Sequence, residues 1–430
     1  MTAVILFGIF ALLLFINLPI ALAIIFATLV TMLTTIDTLP ALTTIAQRLT
    51  AGIDSFALLA IPYFILSGYL MGQGGIAARL IAFAKVLVGR LPGGLAFVNV
   101  ISCALFGSIS GSAVAATSAI GGFMIPAMEK EGYDKPFSTA VTVTAATTGM
   151  LIPPSNILII YSLASGGVSI AALFIAGYLP GLLVTLLLIV ACFIYVTKKK
   201  IKPLSAESIE PFWPALFGAV PSLFLIFLII GGIIGGIFTP TEAGALAVLY
   251  SLALSLVFYR ELSVRDLFPI LLKAVNTTAI VMLLIGASSA MSWLMSYELI
   301  PQTISESLLA LSQNPLIILL IINLTLLVIG TFMDMTPAVL IFTPIFLPVA
   351  ESLGISPLHF GIMVILNLSI GLCTPPVGSV LFVGCSIGKV PISQVVKPIL
   401  PLYAAMVLAL VLVTIFPAIS EFLPQVLGLI

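Results

Sequence analysis

Apolar stretches of about 20 residues follow one another along almost the whole chain, and this succession constrains the fold more than any other feature. A helix that spans a bilayer needs about 20 apolar residues. Only 7% of the residues are charged, whereas a soluble domain carries about 25% charge. The sequence therefore predicts an all-α polytopic membrane protein. The stretches lie at 3–35, 53–73, 94–106, 111–128, 137–165, 169–197, 214–237, 241–259, 270–296, 315–330, 336–350, 358–387 and 395–419.

Charge and reactive side chains exclude several functions. The formal net charge is zero, which gives no support to a nucleic-acid partner. The cysteines at 103, 192, 373 and 385 lie in apolar stretches without metal-ligand spacing, so they are predicted to be buried apolar residues. His359, the single histidine, is predicted to be structural. Without a His or Cys cluster, we expect neither an enzyme nor an organic cofactor.

Two pairs of stretches are too short to cross a membrane one by one. The segment Gly107–Gly111 joins 94–106 to 111–128, and Thr331–Met335 joins 315–330 to 336–350. Each pair is predicted to be a re-entrant hairpin with its tip at membrane depth. Irregular backbone is tolerated there only when protein or a wet cavity surrounds it.

Basic residues predict the orientation of the chain. Placing Lys198–Lys202 in the cytoplasm follows the positive-inside rule. Fourteen of the fifteen Lys and Arg residues then fall on that side, with Arg48 as the exception. In this arrangement the first hairpin enters from the cytoplasm and the second from the opposite face.

A double proline occurs once in each half of the chain. The stretch "GMLIPPSN" begins at Gly149, and "GLCTPPVG" begins 222 residues later at Gly371. The same offset pairs three further positions, and a one-residue slip pairs the hairpin-tip glycines. Opposite insertion of two such copies makes an inverted-topology repeat, which many secondary transporters use. The further pairs are Pro126 with Pro348, Glu129 with Glu351, Gly132 with Gly354, and, with the slip, Gly107 with Gly330.

Each double proline is predicted to break a membrane helix and expose oxygen atoms. Proline has no N–H to donate, and it pushes the preceding residue, Ile152 or Thr374, out of helical geometry. Carbonyls at 149–152 and 371–374 should then lack partners, which is costly in hydrocarbon. We expect sodium ions to satisfy them, together with oxygens from the hairpin tips. The tip residues are Ser108, Ser110 and Ser112 in the first half, and Thr331, Asp334 and Thr336 in the second.

The second half of each broken helix is predicted to bind a carboxylate. These half-helices begin near Ser155-Asn156 and Gly378-Ser379. Free amides and the positive end of the helix dipole favour an anion at such a terminus. The predicted substrate contacts are Ser112, Ser155, Asn156, Asp334, Thr336, Gly378 and Ser379.

Structural explanations of the same residues remain open. A proline kink is often only structural, and Ser or Thr in a membrane helix often bonds to its own preceding turn. Asp334, the acid in the hairpin tips, could contact a cation or a substrate, or transfer a proton. Thr239, Pro240 and Glu242 form a capping box, which explains "TPTEAGA" as a helix start.

These motifs together resemble one transporter family. The "PPS" and "PPVG" breaks, the "GSISGSAVA" tip and the "TPTEAGA" start are similar to the large membrane subunit of tripartite ATP-independent periplasmic (TRAP) transporters, along essentially the whole chain. The resemblance implies an elevator-type fold with a scaffold and a mobile transport domain. Its divisions would be scaffold helices at 1–91 and 169–313, transport repeats at 92–168 and 314–390, and a C-terminal helix at 391–430.

The resemblance also implies a function and partners. It implies sodium-driven uptake of an organic acid across a bacterial inner membrane, with sialic acid as the first candidate and a C4-dicarboxylate as the next. A small four-helix membrane subunit, a periplasmic binding protein and membrane lipids would be the partners. Carried over by position, the sodium sites would use Ser108, Ser110, Gly149, Ile152 and Pro154, and Gly330, Thr331, Gly371, Thr374 and Pro376, largely through backbone oxygens.

Other functions remain alternatives. A stand-alone sodium–dicarboxylate symporter of similar architecture would need no periplasmic partner. A channel would show flux faster than a carrier can cycle. An intramembrane enzyme is disfavoured because no paired catalytic residues occur in the sequence.

Overall fold

The computed structural model describes residues 2–201, 203, 209–375 and 378–430, and this part of the chain is helical without strands. The first half contains α1 (Thr2–Phe15), α2 (Ile20–Met32), α3 (Thr38–Ile53), α4 (Ala60–Gln73), α5 (Ile76–Val88), α6 (Gly94–Ser110), α7 (Ala113–Lys130), α8 (Lys135–Ala146), α9 (Asn156–Ala164), α10 (Ile170–Ala176) and α11 (Tyr178–Lys199). The second half contains α12 (Phe212–Ile234), α13 (Pro240–Leu252), α14 (Val264–Tyr297), α15 (Ile300–Leu311), α16 (Pro315–Phe332), α17 (Met335–Ser352), α18 (Pro357–Gly371), α19 (Ser379–Gly388), α20 (Ile392–Ile415) and α21 (Ala418–Val426).

The polytopic prediction is confirmed by the length and apolarity of these helices. Eight helical segments within the described ranges are long and apolar enough to cross a membrane. They are Phe56–Gln73, Ile170–Lys199, Phe212–Ile234, Pro240–Phe258, Val264–Tyr297, Pro315–Phe332, Met335–Ser352 and Ile392–Ile415. The second predicted hairpin, α16–α17, is longer than the sequence suggested, because each of its helices has 18 residues. Re-entry of either hairpin therefore stays a prediction.

Local sequence explains where two of these helices begin or end. The first apolar stretch forms two helices, because Asn17 has a φ of +64° and Pro19 follows it before α2. The capping box at the start of α13 is confirmed. The Thr239 N–H donates to Glu242 Oε2 at 2.8 Å, and the Glu242 N–H donates to Thr239 Oγ1 at 3.3 Å.

Segments predicted to be cytoplasmic meet one another in pairs. Lys199, at the end of α11, forms an ion pair of 3.0 Å with Asp134, just before α8. Arg79 in α5 forms one of 3.2 Å with Glu261, just before α14. Lys85 lines a small pocket together with Glu210, before α12. Each pair joins two chain segments that the positive-inside rule places on the same side.

The helices pack in two main groups around the repeats. In one group, α14 packs against α2, α3 and α4, and α13 against α4. In the other, α11 packs against α6 and α20, and α20 packs against α8 and α18. Helix α11 thus lies beside the repeat helices, although the predicted boundaries group it with the scaffold. The domain division itself stays a prediction.

Candidate functional site

Both predicted helix breaks are present. Helix α8 ends at Ala146, a 3-10 turn follows at Thr147–Met150, and α9 begins only at Asn156. In the second half, α18 ends at Gly371 and α19 begins at Ser379. Because proline cannot donate to the preceding turn, the helix stops before each pair of prolines.

Each break contacts the hairpin tip of its own repeat, glycine against glycine. A methyl group on Gly107 would lie 2.6 Å from the Gly149 Cα, and one on Gly371 would lie 2.6 Å from the Gly330 Cα. Real Cβ atoms do not approach backbone so closely, so these positions accept only glycine. The contact brings the main chains of tip and break together in both halves, as the repeat predicted.

Several carbonyls at the breaks accept hydrogen bonds, although the sequence predicted that they would have no partner. The Gly371 carbonyl accepts a hydrogen bond from the Thr374 N–H at 2.9 Å, and the Thr374 carbonyl accepts one from Gly378 at 3.1 Å. Met150 accepts one from the Ser155 hydroxyl at 2.7 Å. For these carbonyls the expectation of no partner was wrong, because tight turns supply donors before and after the prolines. A carbonyl has two lone pairs, so each can still face a cation.

Two of the predicted tip hydroxyls bond to their own helices. Ser108 Oγ donates to the Leu105 carbonyl at 2.7 Å, and Thr331 Oγ1 donates to the Val328 carbonyl at 2.7 Å. This is the structural alternative considered for such residues. Donation uses the proton and leaves the oxygen lone pairs able to accept or coordinate.

A cavity of about 660 Å³ lies between the two helix groups. Helices α4 and α14 form one wall, and the tips and half-helices of both repeats form the other. Six of the predicted site residues line it. They are Ser110, Ser112 and Asn156 from the first repeat, and Asp334, Thr336 and Ser379 from the second.

The other predicted site residues lie behind this lining, at the contacts of tips with breaks. Most of them are buried, so the oxygens of these residues lie behind the cavity wall and not on its surface. These residues are Ser108, Gly149, Ile152, Pro154, Ser155, Gly330, Thr331, Gly371, Thr374 and Gly378. Pro376 was also predicted to bind sodium, and it lies outside the described residues.

The two repeats meet the cavity with different polar groups. In the second, Asp334 is exposed to the cavity and its Oδ1 lies 3.5 Å from the Ser379 hydroxyl, at the start of α19. In the first, the side-chain oxygen of Asn156 has no hydrogen-bond partner within the described part of the chain. The carboxylate of Asp334 therefore faces the cavity, whereas the unpaired side-chain oxygen of Asn156 is buried in the cavity wall.

Sequence reasoning missed the polar side chains on the α14 wall. Lys273, Thr277 and Val281 line the cavity at intervals of four residues, so one face of the helix turns toward it. The Thr277 hydroxyl lies 2.9 Å from the Tyr69 hydroxyl of α4. The missed signal was Lys273 inside an apolar stretch, because ionisable residues in such stretches are functional candidates. The prediction from the sequence used Lys273 only to orient the chain, as one of the basic residues on the cytoplasmic side.

Comparison with known proteins places the chain in a family. The family model described as "Tripartite ATP-independent periplasmic transporter, DctM component" matches residues 7–419. The chain belongs to this DctM family. The resemblance drawn from the sequence is thereby confirmed.

Several proteins of known sequence are similar to this DctM-family chain. It is 53% identical over 421 residues to the uncharacterized protein YgiK of Salmonella typhimurium, covering 98% of this chain and 97% of the other. It is 40% identical to the sialic acid TRAP transporter large permease SiaM of Vibrio cholerae, covering 96% of each. It is 38% identical to the C4-dicarboxylate TRAP transporter large permease DctM of Rhodobacter capsulatus, covering 100% of each.

The family gives the chain its general role. It is a large permease component of binding-protein-dependent transporters for organic acids, which is a transporter family and not an enzyme class. Such permeases work with a small membrane subunit and a periplasmic binding protein.

Proposed function

We propose that this permease imports an organic acid across the bacterial inner membrane by sodium symport with an elevator-type movement. The first substrate candidate is sialic acid, and a C4-dicarboxylate is the next. The cavity between α4, α14 and the two repeats carries the proposal, because both repeats and the opposite wall supply polar groups to one space.

The chemistry of the cavity suits an anion that also carries hydroxyl or amide groups. Lys273 supplies a positive charge from α14, while Ser112 and Ser379 supply hydroxyls from the repeats. Asp334 can accept hydrogen bonds from substrate hydroxyl or amide groups. A mostly apolar cavity with a few convergent polar groups is typical of a small-molecule site.

The contacts between tips and breaks suit sodium. They bring the main chain of each hairpin tip against the main chain of its break, and Ser108 and Thr331 follow the tip glycines directly in the chain. A hard cation prefers oxygen ligands, and broken helices at mid-membrane supply them in other secondary transporters. We infer one sodium site in each repeat, at the Gly107–Gly149 contact and at the Gly330–Gly371 contact.

The cavity also suggests which conformation the molecule adopts. Its wall includes Gln73, at the end of α4, and Lys273, near the start of α14. The positive-inside rule places both of these helix ends near the cytoplasm. We infer that the cavity opens inward, as it would after delivery of substrate.

Reconstituted transport tests the proposal. The permease is placed in proteoliposomes with its small membrane subunit, and the periplasmic protein is loaded with each carboxylate of a panel. We expect uptake of one carboxylate class that requires an inward sodium gradient and stops when potassium or choline replaces sodium. Uptake that is unaffected by this replacement would overturn the sodium coupling.

The same assay distinguishes the alternative of a stand-alone symporter. We expect no uptake when the periplasmic protein is omitted. Equal uptake of free substrate by the permease alone would instead favour a symporter that needs no delivery protein.

A further inference from the structure

The repeat extends to a third helix in each half. Helix α11 crosses the first break, where Gly181 lies against the Ile152 side chain. Helix α20 crosses the second break, where the Tyr403 hydroxyl contacts the Thr374 hydroxyl. Both Ile152 with Thr374 and Gly181 with Tyr403 are separated by the offset of 222 residues that relates the double prolines. The two contacts are therefore equivalent positions of one repeated arrangement.

The chemistry of these equivalent contacts differs. In the first repeat the side chain is apolar and its neighbour is glycine, and a Cβ on Gly181 would collide with Ile152. In the second repeat both partners carry hydroxyl groups. The first break thus offers only backbone oxygens at this point, while the second offers side-chain oxygens as well.

The protons of the second contact can be assigned from its geometry. Thr374 Oγ1 lies 2.8 Å from the Ile370 carbonyl, which can only accept, so the threonine donates its proton there. Tyr403 must then donate its own proton to Thr374 Oγ1. These two bonds hold the threonine side chain in one rotamer, and they leave lone pairs on the tyrosine oxygen.

We propose that Tyr403 is a positioning residue of the second sodium site. Its hydroxyl orients the side-chain oxygen of Thr374, which has no counterpart at Ile152 in the first site, so the two sites bind sodium with different affinities. This inference rests on the proposed sodium symport.

Sodium-dependent thermal unfolding of the purified protein tests the inference. Sodium is titrated against potassium at constant ionic strength, and the sodium concentration at half-maximal stabilisation is measured. In Tyr403→Phe we expect this midpoint to rise about threefold to tenfold, since one hydrogen bond near the ion is lost. In Tyr250→Phe, which loses a 2.8 Å bond to the Pro221 carbonyl away from both breaks, we expect the wild-type midpoint.

Substitutions of Thr374 test the same pair of hydroxyl groups from its other member. Thr374→Val removes the hydroxyl and should raise the sodium midpoint as Tyr403→Phe does, whereas Thr374→Ser should restore it. The double variant Thr374→Val/Tyr403→Phe should show no larger shift than Thr374→Val alone, because the two hydroxyls act together.

The outcomes separate this inference from the proposed function. If sodium stabilises the wild-type protein no more than potassium does, the proposed symport fails and the inference fails with it. If sodium stabilises the wild type and Tyr403→Phe keeps its midpoint, the role of Tyr403 is overturned while the proposed symport stands. If Thr374→Val keeps it as well, the Thr374 side chain does not contribute to the sodium site either. A lower melting temperature with an unchanged midpoint would likewise show that the hydroxyl pair is structural.

Discussion

Glycine allows two main chains to approach each other closely at four positions of this permease. Gly107 and Gly149 place the main chains of tip and break in contact in the first repeat, and Gly330 and Gly371 do so in the second. The close approach is needed because the oxygens proposed to bind sodium come largely from the backbone. A methyl group at Gly330 would lie 3.2 Å from the Gly371 Cα, and one at any of the other three positions would overlap the facing main chain.

Alanine substitutions of single glycines test whether this close approach is needed for transport. In Gly107→Ala and Gly371→Ala the new methyl group meets backbone, which cannot move aside as a side chain can. Overpacking of this kind costs about 1–3 kcal/mol. We expect sodium-dependent uptake at limiting sodium to fall by about tenfold, because about 1.4 kcal/mol corresponds to that factor.

Gly122→Ala is the matched control for these substitutions. Gly122 lies in α7, where an added methyl group would have no neighbouring atom within 4 Å and the backbone φ is not positive. Alanine there should be tolerated or slightly stabilising. Wild-type uptake by Gly371→Ala, or equal loss in the Gly122→Ala control, would contradict the proposed glycine contacts.

At the scale of elements, α8 is joined to α11 by a cluster around Asp134, on the side of the molecule predicted to be cytoplasmic. Asp134, just before α8, accepts a hydrogen bond from the Tyr195 hydroxyl at 2.6 Å and pairs with Lys199 at 3.0 Å. The Phe137 and Tyr195 rings stack at 3.5 Å between centroids. The bond from Tyr195 and then the one from Lys199 hold the pKa of Asp134 below its ordinary value.

This cluster predicts a dependence of stability on pH. A lowered pKa in the folded state stabilises the fold above the ordinary pKa, and the stabilisation is lost as the pH falls through the lowered value. At pH 7 we expect Asp134→Asn to melt about 1–2 °C below the wild type, as for an exposed pair. The difference should begin to shrink as the pH falls below the ordinary aspartate pKa of about 4. It should vanish only below the lowered pKa of Asp134, where the wild-type carboxyl is also protonated.

Glu129→Gln is the control for the α8–α11 cluster. Glu129, in the last turn of α7, pairs at 3.3 Å with Lys135, the first residue of α8, and so does not link α8 to α11. We expect a smaller change in melting temperature. A difference between Asp134→Asn and wild type that persists unchanged at low pH would show that the charge of Asp134 is not its cause.

At the scale of the whole molecule, the cavity lies where two helix groups face each other. One wall belongs to α4 and α14, and the other to the two repeats. In an elevator-type movement the repeats would carry the substrate while α14 stays in place. Lys273 would then meet the substrate only when the repeats are in their inward position.

Removal of the Lys273 charge should weaken substrate binding from the cytoplasmic side of the membrane only. In Lys273→Gln we expect the apparent affinity for a carboxylate presented from the cytoplasmic side to fall about threefold to tenfold, because a charge partner in the cavity is lost. The affinity for substrate delivered by the periplasmic protein should remain as in the wild type. Efflux and uptake from proteoliposomes of known orientation measure the two values, with succinate and sialic acid as probes.

Arg265→Gln is the matched control for Lys273→Gln. It removes the same charge from the same helix, but Arg265 lies outside the cavity lining. Lys273→Arg should keep most of the affinity. Equal effects of the Lys273→Gln and Arg265→Gln substitutions would indicate a general electrostatic effect and contradict a contact of Lys273 with the substrate.

The sequence by itself determined the helical membrane class, the two breaks, the repeat and the family. These features follow from local rules, since apolar length decides whether a helix can span and proline stops a helix wherever it lies. The capping box at Thr239 was predicted on the same grounds. The tip of the first hairpin was placed a few residues too early, because α6 continues to Ser110 before it turns. The turn between α16 and α17, at residues 333–334, lies within the link that the sequence predicted.

Only the tertiary structure decided which oxygens share a space and which helices stand opposite them. The α14 wall with Lys273 and the pairing of Tyr403 with Thr374 join residues of different helices. Their proximity depends on how whole helices pack, and hydrophobic pattern or turn chemistry carries no information about that distance. The donors that bond to the Gly371 and Thr374 carbonyls could not be predicted for a related reason. The geometry of the turn after a break depends on the residues packed around it.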